Sequence, residues 1–440
     1  MRPVKLSLLC LAISSAAISH NAVAEESLDN ILGQGRLIFE ERYRYEYVDQ
    51  DAVKGKPELK QADAQTARTR LGFQTGKWYG LSSLIEADNV TRIGNESFNS
   101  TRNGQKEYSV VADPDGTEIN QALLRYDHKY GTAIGGRQRI NLDNQRFIGS
   151  VAWRQNEQTF DGGLLQFKPI TGLTLTSAYI DNVNTIWGPE NGKYDNKTNP
   201  ANINGHSKLF NAQYVLMRDF RGTPQLTVTG YNYLLDLDNI AVDGKASTPV
   251  GTLSSQTTGL RLSGLVAGFT YAAEYAQQED YSNNPNQLDS DYYLAELGYT
   301  VGTVALKGGY EVLGGGEDGK SAKKNNLAFQ TPLATKHAFQ GWADVFLTTP
   351  TDGIEDAYLG ATIPLLGGKV EAVYHDFSAQ QGGDNYGEEY DLSYARPIPA
   401  VPGLVALVKY ANYDSADNAL STFNNVDTQK FWLQLQYTYL

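Results

Sequence analysis

The chain ends in a stretch of alternating side chains, Phe431-Trp432-Leu433-Gln434-Leu435-Gln436-Tyr437-Thr438-Tyr439-Leu440. The odd positions carry Phe, Leu, Leu, Tyr and Tyr, whereas the even positions from 430 onward carry Lys, Trp, Gln, Gln and Thr. A two-residue period places the two sets on opposite faces of a β-strand, so one face is expected to contact apolar material and the other water. This pattern is typical of the closing strand of an outer-membrane β-barrel, although alone it also fits an amphipathic strand in a soluble sandwich.

The same period recurs along the chain in segments of about ten residues. Residues 36–47, 66–75, 269–279 and 304–312 each place charged or amide side chains opposite apolar ones. A soluble sandwich would not carry so many charges opposite its apolar face, but a water-filled lumen would. The repeated pattern therefore predicts an all-β fold, an antiparallel transmembrane β-barrel.

The connections between these segments alternate between short and long. The short ones fall at 76–78, 128–130, 168–172, 218–224, 264–268, 301–302, 364–367 and 397–402. The long, polar ones fall near 49–63, 90–117, 142–157, 182–207, 236–253, 280–289, 314–353, 378–387 and 414–427. Short periplasmic turns alternating with long outer loops are typical of outer-membrane barrels. Eight short and nine long connections predict eighteen strands.

One segment is ambiguous, because residues 338–347 could form a nineteenth strand. Both termini of such a barrel are expected on the periplasmic side, which requires an even number of strands. We therefore assign residues 325–350 to the seventh outer loop and expect this loop to fold back on the barrel wall.

The first 24 residues have the features of a secretory signal. Arg2 and Lys5 provide the charged start, residues 6–17 the apolar stretch, and Ala-Val-Ala at 22–24 a small-residue cleavage site after Ala24. Residues 25–440 are then expected to form one barrel domain in the outer membrane of a Gram-negative cell. Beyond the signal, no apolar run approaches the roughly 18 residues of a membrane-spanning helix. The excess of Tyr (28) over Phe (15) fits aromatic girdles at the membrane interfaces.

Enzyme chemistry is not indicated by the sequence. Four histidines remain after cleavage, namely His128, His206, His337 and His375. They lack metal-binding spacings, and no nucleophile-elbow or phosphate-binding motif is present. The single cysteine, Cys10, lies in the signal, and the stretch Asp113-Pro114-Asp115-Gly116 is interpreted as a type I turn rather than a calcium site. We therefore expect no metal and no cofactor.

The expected partners follow from the membrane assignment. They are outer-membrane lipid and lipopolysaccharide, the barrel-assembly machinery, and an anionic oligo- or polysaccharide. Nucleic acid is not expected as a partner.

Assigning the polar face of each strand to the lumen separates the charges. The arginines lie on predicted strands one, two, four and five: Arg42, Arg44, Arg68, Arg70, Arg125, Arg137 and Arg139. The acids lie across the barrel on predicted strands eleven to sixteen: Glu274, Glu296, Glu311, Glu371, Glu389 and Asp391. Guanidinium groups suit carboxylates and stay charged at any working pH, so the basic wall is expected to attract anions. The alternative is that each arginine pairs with a nearby carboxylate, such as Glu40 or Glu86.

One signature lies at 136–149, Gly-Arg-Gln-Arg-Ile-Asn-Leu-Asp-Asn-Gln-Arg-Phe-Ile-Gly, followed by Trp153-Arg154-Gln155 and Thr159-Phe160-Asp161. Later stretches belong with it: 329–335, 341–344, and 374–377 leading to 386–391. In these stretches the chain resembles the alginate export family of outer-membrane porins, over nearly the whole mature length. The resemblance implies a barrel of the predicted strand number with an arginine-rich conduit for an anionic polysaccharide such as alginate.

The resemblance also implies roles for individual residues. The residues that match the pore arginines of the family are Arg137, Arg139, Arg146 and Arg154, with Arg125 a weaker match. Asp143 and Asp161 are expected to hold these arginines in place. Trp153 and Gln155 would lie on a third loop folded into the lumen, where arginines and aromatic groups bind a uronate by charge and a sugar face by stacking. The alternative for Trp153, which we favour, is a packing anchor that fixes the loop.

The pattern and the resemblance together predict an outer-membrane porin that conducts anionic saccharides, such as alginate-like polyuronates, or other small anionic solutes. The direction of transport stays open. A function of a different class, a loop-closed barrel acting as an adhesin or receptor, also stays open. If the signature arginines line the path, Arg137→Glu combined with Arg139→Glu is expected to reverse or greatly reduce the anion preference.

Overall fold

The computed structural model describes residues 28–53, 56–189, 198–219, 222–242, 248–316, 325–416 and 426–439. The predicted signal, with its cleavage site at Ala24, and the last residue, Leu440, lie outside the described residues. Among the residues that are described, the regular structure begins with a helix of six residues, α1 (Leu28–Gly33). No helix in this part of the chain has the length and hydrophobicity needed to cross a membrane.

The rest of the regular structure is a sheet closed on itself. Its strands are β1 (Arg36–Gln50), β2 (Ala62–Gln74), β3 (Leu81–Arg92), β4 (Gly116–His128), β5 (Gly131–Gln138), β6 (Thr159–Phe167), β7 (Leu173–Asn184), β8 (Asn202–Arg218), β9 (Pro224–Leu235), β10 (Ser255–Val266), β11 (Phe269–Asp280), β12 (Asp289–Val301), β13 (Val304–Leu313), β14 (Ile354–Leu365), β15 (Gly368–Ser378), β16 (Asn385–Pro397), β17 (Leu404–Ser415) and β18 (Thr428–Thr438). Each strand pairs antiparallel with its neighbours in chain order, and β1 pairs with both β2 and β18. The predicted antiparallel barrel of 18 strands is confirmed.

The connections lie where the sequence predicts them. The short ones lie at one end of the barrel, the short-turn end, and the long ones at the other, the long-loop end. Among the described residues, those of two long connections fold into the barrel over most of their length: loop 3 (residues 139–158) between β5 and β6, and the described part of loop 7 (residues 314–316 and 325–353) between β13 and β14. Residues 338–347 form turns within loop 7 and no nineteenth strand, as predicted.

Alternation along the strands separates an apolar outer face from an inner face. On β18, Leu433 and Leu435 are 42% and 47% exposed, whereas Trp432, which precedes Leu433 and faces the other side of the sheet, is fully buried. The exposed residues of the outer face include Leu71, Ile85, Leu124, Leu165, Phe210, Leu260, Leu297, Leu359, Leu392 and Val408. Because a closed barrel has no edge, this face surrounds the wall as a continuous apolar surface.

The described residues of loops 3 and 7 pack against each other and against the inner wall of the barrel. Phe147 of loop 3 packs against Tyr292 of β12 and against Phe329 of loop 7, with ring centroids 5.2 and 5.9 Å apart. Phe346 of loop 7 packs on Phe377 of β15 at 4.6 Å. These rings belong to one buried apolar cluster that joins both loops to the inner wall. An apolar cluster of this kind fixes the two loops inside the barrel, because releasing either would expose its rings to water.

Candidate permeation pathway

Of the cavities lined by the described residues, two lie on opposite sides of the layer made by loops 3 and 7. The long-loop cavity has a volume of about 350 Å³ and is lined by residues of the long connections, such as Trp187 and Ile240. The short-turn cavity has a volume of about 590 Å³ and is lined by residues near the short turns, such as Glu371 and Gln436. Among the described residues, His337 of loop 7 is the one that lines both cavities. His337 therefore lies between the two cavities, and we name this level the constriction.

Hydrogen bonds from the barrel wall hold loop 3 at this level. Arg42 Nη1 donates to the carbonyl of Ala152 at 3.1 Å, and Arg44 Nη2 to the carbonyl of Trp153 at 2.6 Å. From the next residues of the loop, Gln155 Nε2 donates to Thr66 Oγ1 at 3.0 Å. Arginines on β1 therefore bind the backbone of loop 3. These hydrogen bonds hold the loop in place and leave only the remaining N–H groups for a solute.

Loop 3 is attached to the far wall as well. Arg146 Nε donates to Glu311 Oε1 of β13 at 2.7 Å, and Nη1 donates to Thr331 of loop 7 at 3.1 Å. The guanidinium group also lies 4.7 Å from the ring centre of Phe339. Because β1 and β13 lie on different sides of the barrel, loop 3 crosses the lumen, in line with the prediction that the third loop folds inward.

A network of paired arginine and carboxylate side chains lies on the inner wall at β2 and β3. Arg70 donates to Asp88 at 2.7 Å and to Glu157 of loop 3 at 2.8 Å. Arg139, which follows the end of β5, donates to the same Glu157 and to Glu86. The neighbouring Arg68 pairs with Glu40, and Arg42 lies 3.8 Å from that carboxylate. In this region the geometry agrees with the alternative hypothesis, in which each arginine pairs with a nearby carboxylate.

The register of β5 places Arg137 on the outer face of the barrel. Arg137 is opposite Ala122, on the same side of the sheet as the exposed Leu124 and Tyr126. It binds Asp161 on the same face, at 2.7 Å. The expected pore-lining role of Arg137 is therefore wrong. Asp161 does hold this arginine in place, as expected, but on the outer face. The reason is that β5 ends at 138, so Arg139 follows loop 3 inward while Arg137 keeps the parity of the sheet.

Two further candidates differ from expectation. Asp143 binds no candidate arginine; it accepts from Asn211 Nδ2 at 2.7 Å and from the hydroxyl of Tyr233 at 3.3 Å, and burial raises the pKa of its carboxyl. Arg125 does face the lumen, but close to the short-turn end, where it pairs with Asp127 at 2.9 Å. The remaining arginine, Arg154, lies at the constriction and donates to Glu46 at 2.9 Å.

Asp113 also departs from its predicted role. It is fully buried rather than placed in an exposed turn, and it accepts from the backbone of Gln155 at 2.9 Å. Its carboxylate lies 3.8 Å from Arg44 and 3.7 Å from Arg154. It therefore stabilises two constriction cations. In the part of the chain that is described, no group of His, Cys, Asp and Glu side chains is arranged to hold a metal ion.

The centre of the constriction is a lysine enclosed by tryptophans. Lys409 Nζ of β17 lies 3.6 Å from the ring centre of Trp342, 4.5 Å from that of Trp153 and 5.7 Å from that of Trp432. It donates to Nε2 of His337 at 2.7 Å. Cation–π attraction of this kind strengthens when the group is shielded from water. Trp153 stacks on His337 with ring centroids 4.4 Å apart, so it packs as an anchor at the constriction.

His337 is neutral in this setting. Burial, together with the nearby charge of Lys409, lowers the pKa of the imidazole to about 3. The neutral ring accepts from Lys409 at Nε2, and its Nδ1 lies 2.8 Å from Oδ1 of Asp344. Burial of Asp344 opposes its charge, but Lys430 and the hydrogen bond from His337 hold the pKa of that carboxyl well below its usual range.

The charged residues that line the two cavities are mostly cationic. In the described lining of the long-loop cavity they are Arg154, Lys336, Lys430 and Asp344. In that of the short-turn cavity they are Arg42, Arg44, Lys307, Lys409 and Glu371. With His337 neutral, each cavity thus carries a surplus of positive charge, although the whole chain has a net charge of −13.

Sequence reasoning missed Lys409, Lys430 and His337. A signal for the two lysines was present, since Lys430 belongs to the inward-facing set of the final strand and Lys409 alternates with the apolar Val408 and Tyr410. No comparable signal marked His337, because its position depends on the fold of loop 7.

Comparison with known proteins agrees with this geometry at the level of the fold. No family model and no curated protein matches the chain. Among solved structures, OccK3 (OpdO) of Pseudomonas aeruginosa is similar at 15% identity and a TM-score of 0.64, covering 94% of this chain and 97% of that one. OccK9 (OpdG) of the same organism is similar at 16% identity and a TM-score of 0.67, covering 93% and 99%.

A third similar structure is that of Pseudomonas aeruginosa OpdK with vanillate, at 13% identity and a TM-score of 0.62, covering 93% of this chain and 99% of that one. The chain has the fold of these 18-stranded outer-membrane porins. Identities this low establish the fold and leave the substrate open. The resemblance to the alginate export family is carried by the quoted sequence stretches alone.

Proposed function

We propose that the chain is an outer-membrane channel that conducts small anionic solutes, carboxylates above all. The observation that carries the proposal is the surplus of cations in both cavities, with Lys409 at the constriction between them. Fixed cations in a narrow, low-dielectric passage raise the local concentration of anions and repel cations. The aromatic rings beside them, with Arg44 4.1 Å from the ring centre of Trp153, offer a surface for an apolar body.

Small solutes fit the interior better than a polymer does. A polysaccharide needs a continuous conduit, whereas here two cavities of about 350 and 590 Å³ are separated by loops 3 and 7. Vanillate, the ligand named for OpdK, is an aromatic carboxylate and combines the two features that the constriction recognises, a negative charge and a ring. We therefore propose small carboxylates, rather than alginate, as the cargo.

The separation of the two cavities also favours a second candidate function, a loop-closed barrel acting as an adhesin or receptor. Recording currents through the purified chain in planar lipid bilayers distinguishes the two. Under a KCl gradient, we expect discrete openings with a reversal potential on the chloride side. A reversal potential on the potassium side would contradict the anion assignment, and a protein that inserts but never opens would favour the receptor.

The membrane assignment predicts unequal effects for two identical substitutions on one strand. Val408 of β17 lies on the outer face, and Val405 on the inner face beside Gln436. Val408→Arg is expected to destabilise the barrel in lipid, lowering its free energy of unfolding by about 2–4 kcal/mol, because arginine is disfavoured in the hydrocarbon region. Val405→Arg faces water and is expected to change it by less than about 1 kcal/mol. Urea unfolding in lipid vesicles measures both; equal effects would contradict the assignment of the outer face to lipid.

A further inference from the structure

Asp344 is a carboxylate of loop 7 placed inside a site made of positive groups from other elements. Lys430 Nζ of β18 donates to its Oδ2 at 3.0 Å, and Arg154 Nη2 of loop 3 lies 3.3 Å from the same oxygen. Oδ1 lies 2.8 Å from Nδ1 of His337. Donors from three elements thus converge on one carboxylate, which is the geometry that would bind the carboxylate of a solute.

The surroundings have spare capacity to bind oxygen atoms. In the described part of the chain, three buried donors near the constriction lack a hydrogen-bond acceptor: Arg44 Nη1, Trp153 Nε1 and Trp432 Nε1. Buried donors are normally satisfied, and those that are not point to a missing ligand or water. A solute carboxylate that reached this level could occupy the Arg154 and Lys430 donors and come close to the unused ones.

Asp344 also lies next to the boundary between the two cavities. It belongs to the lining of the long-loop cavity, its partner His337 lines both cavities, and Lys409 beyond His337 lines the short-turn cavity. The contacts Asp344–His337 and His337–Lys409, at 2.8 and 2.7 Å, form a chain of side chains across the passage. Displacing the carboxylate of Asp344 would release one end of that chain.

We propose that Asp344 is a tethered counter-carboxylate. It occupies the anion site of Arg154 and Lys430 and keeps the constriction closed, and a permeating carboxylate opens the passage by taking its place. The inference rests on the proposed function, since it requires that carboxylates enter the lumen. To the proposed function it adds a binding site for a solute carboxylate, and a residue of the chain, Asp344, that competes with that solute for the site.

The backbone beside Asp344 is fixed, so the exchange involves side chains. The amides of Trp342 and Ala343 donate to Asp391 at 3.2 Å and to Glu389 at 2.6 Å on β16. Asp344 itself has a φ of 58°, a left-handed conformation that asparagine and aspartate tolerate better than other residues with a side chain. Asp344→Asn therefore removes the charge with the least change of shape and backbone.

The test compares single-channel records of the wild type, Asp344→Asn and Asp127→Asn in planar bilayers. Asp127 is a lumen carboxylate paired with Arg125 far from the constriction, so its replacement changes the same charge elsewhere. We expect the open fraction of Asp344→Asn to rise about tenfold, the factor that corresponds to losing one modest charge-assisted interaction. Asp127→Asn should behave as the wild type. An unchanged open fraction in Asp344→Asn, or an equal rise in both variants, would overturn the proposal.

A second measurement uses the wild type alone and does not depend on the folding of a variant. Millimolar benzoate, an aromatic monocarboxylate, should raise the open fraction of the wild type, whereas benzamide, its neutral counterpart, should not. A wild type that is indifferent to benzoate contradicts the counter-carboxylate. If the channels prefer chloride but ignore benzoate, this inference fails and the proposed function stands; if they prefer potassium, the proposed function fails first.

Discussion

Replacing Arg146 with alanine is expected to detach loop 3 from the far wall of the barrel and to widen the conducting path. Arg146 is 2% exposed and its partner Glu311 is 3% exposed, so the pair is shielded from water. Without the guanidinium group, Glu311 keeps the hydroxyl of Tyr292 at 2.8 Å but loses its counter-charge. Removing one partner of a buried ion pair destabilises a protein by about 3–5 kcal/mol. We expect a loss of this size in the attachment of the loop, and a larger single-channel conductance as its consequence.

Two controls distinguish the loss of the loop attachment from the effect of leaving Glu311 unpaired. Arg125→Ala breaks an ion pair whose arginine side chain is 42% exposed, and it should change stability by less than about 1 kcal/mol and leave the conductance unchanged. Arg146→Ala combined with Glu311→Gln removes the unpaired charge and should recover part of the stability but not the wild-type conductance. A single variant with wild-type conductance and stability would show that the apolar cluster alone holds loop 3.

The wall of the barrel was predictable from sequence because its signals are local. The alternation in 36–47 or 431–440 depends on neighbouring residues, and short turns are marked by nearby glycine and proline. The order of short and long connections then determines the strand number and the antiparallel pairing. None of these features requires knowledge of what lies across the lumen.

The site was predictable only in part, because its contacts join residues far apart in sequence. Arg146 meets Glu311 at a separation of 165 residues, and Arg154 meets Asp344 at 190. Nothing in the spacing of those residues reveals such pairs. Arg137 was misplaced for a different reason: the pattern identifies a strand but not the residue at which it ends, and one position changes the face on which a side chain lies.

Replacing Lys409 with glutamate is expected to abolish or reverse the anion preference. Lys409 lies at the constriction, where it contacts His337 and the ring of Trp342. The substitution changes the local charge by two units in a passage with little water to screen it. At such distances and an intermediate dielectric, each unit changes the energy of a passing ion by more than about 1.4 kcal/mol, so the chloride-to-potassium permeability ratio should fall by at least about tenfold.

Position, not net charge, should decide the effect. Lys307→Glu introduces the same change in the wider short-turn cavity, where the lysine side chain is 50% exposed and lies 3.5 Å from Glu296, so solvent screens it and the ratio should shift only slightly. Arg137→Glu, on the outer face, should leave the ratio unaltered. Because a buried glutamate beside Asp391 could impair folding, Lys409→Met serves as a milder variant and should reduce the ratio without reversing it. Equal shifts from Lys409→Glu and Lys307→Glu would mean that selectivity arises from the overall field of the lumen, and the constriction would then not be the filter.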